Sequence, residues 1–159
     1  RNRVTTFFDP TRDPLGAGYQ IQQSLLAIGS GGISGRGFGQ SVQKFDFLPE
    51  PMGDSIFAVL GEEFGFAGSI FILLLFLAFC LRGLRVAART PDPFGRLLAV
   101  GLVILIMTQS LMNIAAMLGV FPLTGTPLLF VSHGGTALFF TLFASGILLN
   151  ISRFTSRAV

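Results

Sequence analysis

Three long apolar runs, at about 64–84, 97–118 and 128–151, constrain this chain more than any other feature. A helix rises about 1.5 Å per residue, so roughly 20 apolar residues cross the ~30 Å hydrocarbon core of a bilayer. Lipid offers the backbone no hydrogen bonds, so each run must satisfy its own, and a helix does this within one segment. The expected fold class is an all-α integral membrane protein with three transmembrane helices. Composition agrees: of 159 residues, 51% are hydrophobic and 12% charged, with a mean hydropathy of +0.71, against roughly 25% charge in an ordinary soluble domain. Cys80, the single cysteine, lies inside the first run and is expected to pack as a small hydrophobe, with no internal disulfide.

Charge gives the runs a direction. Arg82, Arg85, Arg89 and Arg96 cluster around the first connection against one acid, Asp92, whereas the 119–127 connection carries no charge. Basic loops stay in the cytoplasm, which makes 85–96 the cytoplasmic loop and 119–127 the outer one. Arg153 and Arg157 then place the C-terminus in the cytoplasm, consistent with three crossings. Residues 1–55 form an extracytoplasmic loop and 56–159 the membrane domain. The net charge of +3 follows from this layout, and no nucleic-acid partner is expected.

Residues 1–54 are broken up by Gly and Pro. Within them Ile21, Leu25, Leu26 and Ile28 predict a short helix over 19–28 that could lie at the membrane surface. The glycine-rich loop at 29–39 matches neither GxGxxG nor GxxxxGK, although Arg36 could meet a phosphate. Gln43, Lys44, Asp46, Glu50 and Asp54 form the densest polar cluster, and Pro49 and Pro51 prevent a continuous helix there. Asp54 reads both as an N-cap for a helix starting at Ser55 and as a general base at a membrane face. Glu62 and Glu63 fall near one interface, where they either sit among headgroups or bind a cation or sugar.

Ala58, Gly61, Gly65 and Gly68 fall on one helix face, a small-residue stripe that admits a second helix. In the second run, Gln109 and Asn113 share a face and suit interhelical hydrogen bonds or the lining of a substrate groove. The third opens with Ser132, His133, Gly134, Gly135 and Thr136, whose bare backbone and hydroxyls could contact a ligand. His133 has no second His or Cys partner for zinc and is not assigned catalysis.

The order of short motifs is specific. Phe8-Asp9-Pro10, Asp13-Pro14, Gly18-Tyr19-Gln20, Gln23-Ser24-Leu25, Gly37-Phe38-Gly39, Ser41-Val42-Gln43-Lys44, Phe47-Leu48-Pro49-Glu50, Asp54-Ser55-Ile56-Phe57-Ala58, Gly61-Glu62-Glu63-Phe64-Gly65 and Ser132-His133-Gly134-Gly135 follow one another. This resembles the SEDS family of shape, elongation, division and sporulation proteins (FtsW, RodA, SpoVE) over nearly the whole chain. Tyr19-Gln20 and Ser41-Val42-Gln43-Lys44 look more like the division branch than the elongation branch. Gly53 stands where Thr is common in the family, and His133 where Tyr is.

The resemblance implies that these are the last three of about ten spans, preceded by a large extracytoplasmic loop with short helices, in the bacterial cytoplasmic membrane. It implies a peptidoglycan glycosyltransferase that polymerises lipid II outside the membrane during cell division, with undecaprenyl pyrophosphate as leaving group. The family's essential loop aspartate maps onto Asp54, as general base. Substrate would be bound by Lys44, Gln43, Glu50, Arg36, Ser132, Gly134, Gly135 and Asn113. A divalent cation, Mg²⁺ or Mn²⁺, would be held by oxygen ligands, with Asp54, Glu50 and Asp46 as candidates. Expected partners are lipid II and the growing glycan strand, a class B penicillin-binding protein, other division proteins and membrane lipids. The 159 residues alone are expected to be inactive. Two other classes stay open: transport of a lipid-linked precursor along Gln109, Asn113 and the Gly-rich start of the third run, and a division scaffold without chemistry.

Overall fold

The structure, a computed structural model, describes residues 16–43, 48 and 51–154. Among them the chain is all-helical: α1 (Ala17–Gly31), α2 (Ile56–Arg89), α3 (Pro93–Met117) and α4 (Gly135–Arg153). The last three are each long and apolar enough to cross a membrane, as expected. Their outward faces carry large apolar side chains, among them Phe71, Leu75, Leu105, Phe139, Phe143 and Leu149. Such a surface would aggregate in water and suits the apolar interior of a membrane.

Helix boundaries follow local chemistry. Asp92 caps α3, its Oδ2 accepting from Gly95 N at 2.6 Å, with Pro93 as the first helical residue, so α3 starts four residues before the apolar run. The largest departure is at the third run, whose helix begins at Gly135 and not near 128. Leu128 and Leu129 are buried at 0% and 6% exposure, so their apolarity serves a packed turn rather than a lipid-facing helix. Ser132 closes that turn by accepting from Leu128 N at 2.8 Å and donating its own N–H to Leu128 O at 2.9 Å. Leu128 joins Ile21, Phe57, Ile114, Met117 and Leu123 in one core, which ties the α3–α4 connection to α1, α2 and α3.

α1 is the expected short helix, extended to Gly31, but it presents a different face. Leu25 and Leu26 are 45% and 57% exposed, whereas Ser24 and Ala27 are wholly buried. The small-residue stripe on α2 explains this. Ala58 packs with Ala27, and Gly61 comes within van der Waals reach of Ile28, so α1 lies along the first turns of α2, running in the same direction.

Gly65, expected to continue that stripe, instead interrupts the helix with φ 66° and ψ −161°. The interruption would strand backbone groups, and the 32–37 loop takes four of them. Phe66 N and Ala67 N donate to Gly32 O and Ile33 O, while Glu62 O and Glu63 O accept from Arg36 N and Gly37 N, all at 2.9–3.1 Å. The two backbones lie so close that a Cβ on Gly35 would overlap the Glu63 carbonyl, and one on Gly65 would overlap Gly35 N. Below the break, Phe66 to Arg89 continues as regular helix.

Gly65→Ala is expected to destabilise the protein by about 1–3 kcal/mol from a backbone conformation that only glycine adopts readily, and by more from the overlap. Hydrogen exchange at residues 66 and 67 should accelerate in the variant. Unchanged protection at both amides would show that the loop does not hold the break.

Candidate active site

The turn at 51–55 leads into α2, and its geometry differs from a simple helix cap. The N-cap is Ser55, which makes no side-chain cap hydrogen bond, so Asp54 does not cap the helix as its residue type suggests. Gln20, projecting from α1, reaches across instead. Its Nε2 donates to Asp54 Oδ1 at 3.1 Å and to Ser55 Oγ at 2.9 Å, and the Ser55 hydroxyl donates on to Oδ1 at 3.3 Å. The carboxylate is half-buried, with Oδ1 engaged and Oδ2 without a hydrogen-bond donor among the described residues.

The backbone of the same turn is held from two further sides. Asn113 of α3, 1% exposed, donates from Nδ2 both to Asp54 O and to Thr126 O, each at 2.7 Å. His133 N donates to Met52 O at 2.9 Å, which sets the start of α4 beside the turn. Asp54, Asn113 and the stretch containing Ser132, Gly134 and Gly135 are thus gathered at one end of the bundle. Within it, Ser132 is 7% exposed and occupied by its turn, Gly134 is the N-cap of α4 and Gly135 its first residue. Asn113 bonds to the turn before α2 and to the α3–α4 connection rather than to another helix; at 1% exposure it does not line a path.

A second cluster lies about two helical turns along α2. Glu62 is 0% exposed and accepts from Ser41 Oγ at 2.6 Å, Val42 N at 3.2 Å and Gln43 N at 3.3 Å. The Arg36 guanidinium pairs with it at 3.3 Å. Arg36 is therefore spent on Glu62 and is not a free cation, and Gln43 contributes its backbone N–H, with Oε1 buried and without a partner among the described residues. Glu62 and Glu63 are buried at 0% and 5%, not spread among headgroups, because the 32–43 loop folds over them. The structure thus separates Arg36 and Gln43 from the Asp54 group. Lys44, Asp46 and Glu50 lie outside the described residues.

No group of three His, Cys, Asp or Glu side chains suited to a metal occurs among the described residues. At the Asp54 turn, Oδ2 is one available oxygen, whereas a hard divalent cation takes about six ligands. The described residues therefore do not by themselves assemble the expected cation site.

Gln20 was not singled out as a site residue from sequence. Its signal is the spacing Gln20, Ser24, Ala27, Gly31, a polar-to-small stripe on α1 that matches the stripe on α2.

Glu62→Ala removes the acceptor of three hydrogen bonds and is expected to cost on the order of 3 kcal/mol or more. Arg36→Ala should cost about 1 kcal/mol, because the arginine is 43% exposed and the three donors remain. Thermal unfolding of the full-length protein in detergent compares the two; equal losses would make the ion pair, not the hydrogen bonds, the organiser of the loop.

Comparison with known proteins places this geometry. Residues 1–157 match the family described as cell cycle proteins, FtsW, RodA and SpoVE. The chain is 50% identical over 153 residues to Stage V sporulation protein E of Bacillus subtilis, covering 96% of this chain and 42% of that protein. It is 49% identical over 152 residues to the probable peptidoglycan glycosyltransferase FtsW of Geobacter metallireducens, covering 96% and 40%. Peptidoglycan glycosyltransferase MrdB of Escherichia coli is 45% identical over 152 residues, covering 95% and 41%. A solved structure described as structural coordination of polymerization and crosslinking by a peptidoglycan synthase complex superimposes with a TM-score of 0.78 at 31% identity, covering 96% of this chain and 41% of that one. The chain spans about two fifths of the length of these curated relatives. With a family match over nearly every residue and the same helical arrangement, this chain belongs to the FtsW, RodA and SpoVE family of cell cycle proteins.

Proposed function

We propose that the full-length protein is a peptidoglycan glycosyltransferase of the bacterial cytoplasmic membrane that polymerises lipid II during cell division, with Asp54 as general base. The observation that carries this reading is the Asp54 carboxylate itself. Gln20 and Ser55 fix it through Oδ1, and Oδ2 has no donor among the described residues. A base needs that combination of a fixed orientation and an oxygen left for the proton.

In the proposed reaction Oδ2 accepts the proton of the acceptor sugar hydroxyl, whose oxygen bonds to the anomeric carbon of the donor. The bond to undecaprenyl pyrophosphate breaks, and that group leaves with the electron pair. Attack opposite the leaving group inverts the anomeric centre. The orientation read from the arginines puts this turn on the outer face, where the polymer is needed.

A groove of about 450 Å³ supports a lipid-linked substrate. It is lined by Ile104, Leu105, Thr108, Gln109, Met112 and Thr126. Thr126 O shares the Asn113 amide with Asp54 O, so an apolar chain lying there ends beside the turn. The names of the relatives support the activity, and the solved complex supports a crosslinking partner, a class B penicillin-binding protein in this reading. The motifs at Tyr19-Gln20 and 41–44 favour the division branch. The proposed divalent cation, Mg²⁺ or Mn²⁺, would draw its other ligands from Asp46 and Glu50, and no step above runs through it.

Asp54→Asn keeps the size of the side chain and removes its basicity. In a lipid II polymerisation assay with the full-length protein and its partner, glycan output is expected to fall at least about 100-fold, with partner binding retained. Output equal to wild type would remove Asp54 as base, and growth supported by a polymerisation-dead protein would favour a scaffold.

A further inference from the structure

At the end of the bundle away from Asp54, the arginines do more than mark an orientation. Arg82, Arg85 and Arg89 stand on one face of α2 and, with Val86 and with Ser152 of α4, line a cleft of about 230 Å³ between the two helices. All three arginines are exposed, and none makes an ion pair among the described residues. Asp92, the acid of the following connection, caps α3 through Oδ2 and forms no ion pair with them among the described residues. Three uncompensated guanidinium groups facing one cleft repel each other unless an anion lies between them.

The same face of α2 continues towards the middle of the helix as Phe71, Leu75 and Ala78, all exposed within these 159 residues, so the spacing 71, 75, 78, 82, 85, 89 forms one stripe that is apolar first and basic last. A free anion would use only the basic end. A phospholipid fits the whole stripe, its phosphate in the cleft and an acyl chain along Leu75 and Phe71.

We propose that this cleft is a binding site for the phosphate headgroup of an anionic phospholipid, whose acyl chain lies on the exposed apolar face of α2. Each arginine near a charged headgroup contributes about five-fold in affinity, so the three together contribute on the order of 100-fold. The ammonium of a zwitterionic lipid offsets this attraction, which gives the site its selectivity. The site lies at the opposite end of α2 from Asp54 and is independent of the glycosyltransferase reading.

The test uses the full-length protein in phosphatidylcholine nanodiscs, titrated with fluorescent cardiolipin. Wild type is expected to bind with saturation, and combined Arg82→Ala, Arg85→Ala and Arg89→Ala to weaken binding on the order of 100-fold. Replacing the same three by Lys should restore much of the affinity. Arg96→Ala, at the same end but outside the cleft, should change affinity by less than about two-fold. Unaltered binding in the triple Ala variant, or an equal loss in Arg96→Ala, would overturn the site. Displacement of the lipid by millimolar inorganic phosphate would overturn the lipid assignment in favour of a free-anion site.

Discussion

The docking of the loop after α1 onto α2 depends on the exchange of backbone hydrogen bonds at Gly65. A helix facing lipid cannot leave amides and carbonyls bare, yet α2 breaks there. The 32–37 loop supplies two carbonyls and two amides in the positions that the helix would have filled itself. The exchange fixes where the loop must run, which carries Arg36, Ser41 and Gln43 onto Glu62. A buried carboxylate is tolerable because four donors converge on it. The break and the charge are therefore one device: without the break the loop has no place to dock, and without the loop the charge has no partners.

The Asp54 turn sits at the other end of the same packing. α1 can lie against α2 only because Gly61 and Ala58 leave room for Ile28 and Ala27. That approach brings Gln20 within reach of the carboxylate. Close helix packing in the apolar layer thus determines a hydrogen bond in the polar one, and a wider separation of the helices would free the carboxylate to rotate.

Three spans, their order and the polar segment before them were legible because each rests on local composition. Asp54 stands out in the sequence by the density of polar groups before α2, and it lies in a turn held by Gln20 and Asn113. What the sequence hid were effects of tertiary contact. The apolar residues at 128–131 read as the start of a helix, since Leu128 looks the same whether it faces lipid or a protein core. Gly65 read as a packing glycine because a stripe of small residues does not reveal which member has left the helical conformation. Arg36 read as a free cation because its partner, Glu62, lies far along the sequence and on a different element.

Asn113 holds two carbonyls, one from the turn before α2 and one from the connection after α3, with a single planar amide. A planar group cannot follow one acceptor without shifting its angle to the other. The turn and the connection are thus geared to α3, and a tilt of that helix within the membrane displaces both together. Any protein that grips α3 from the lipid side holds a lever on the carboxylate at the surface.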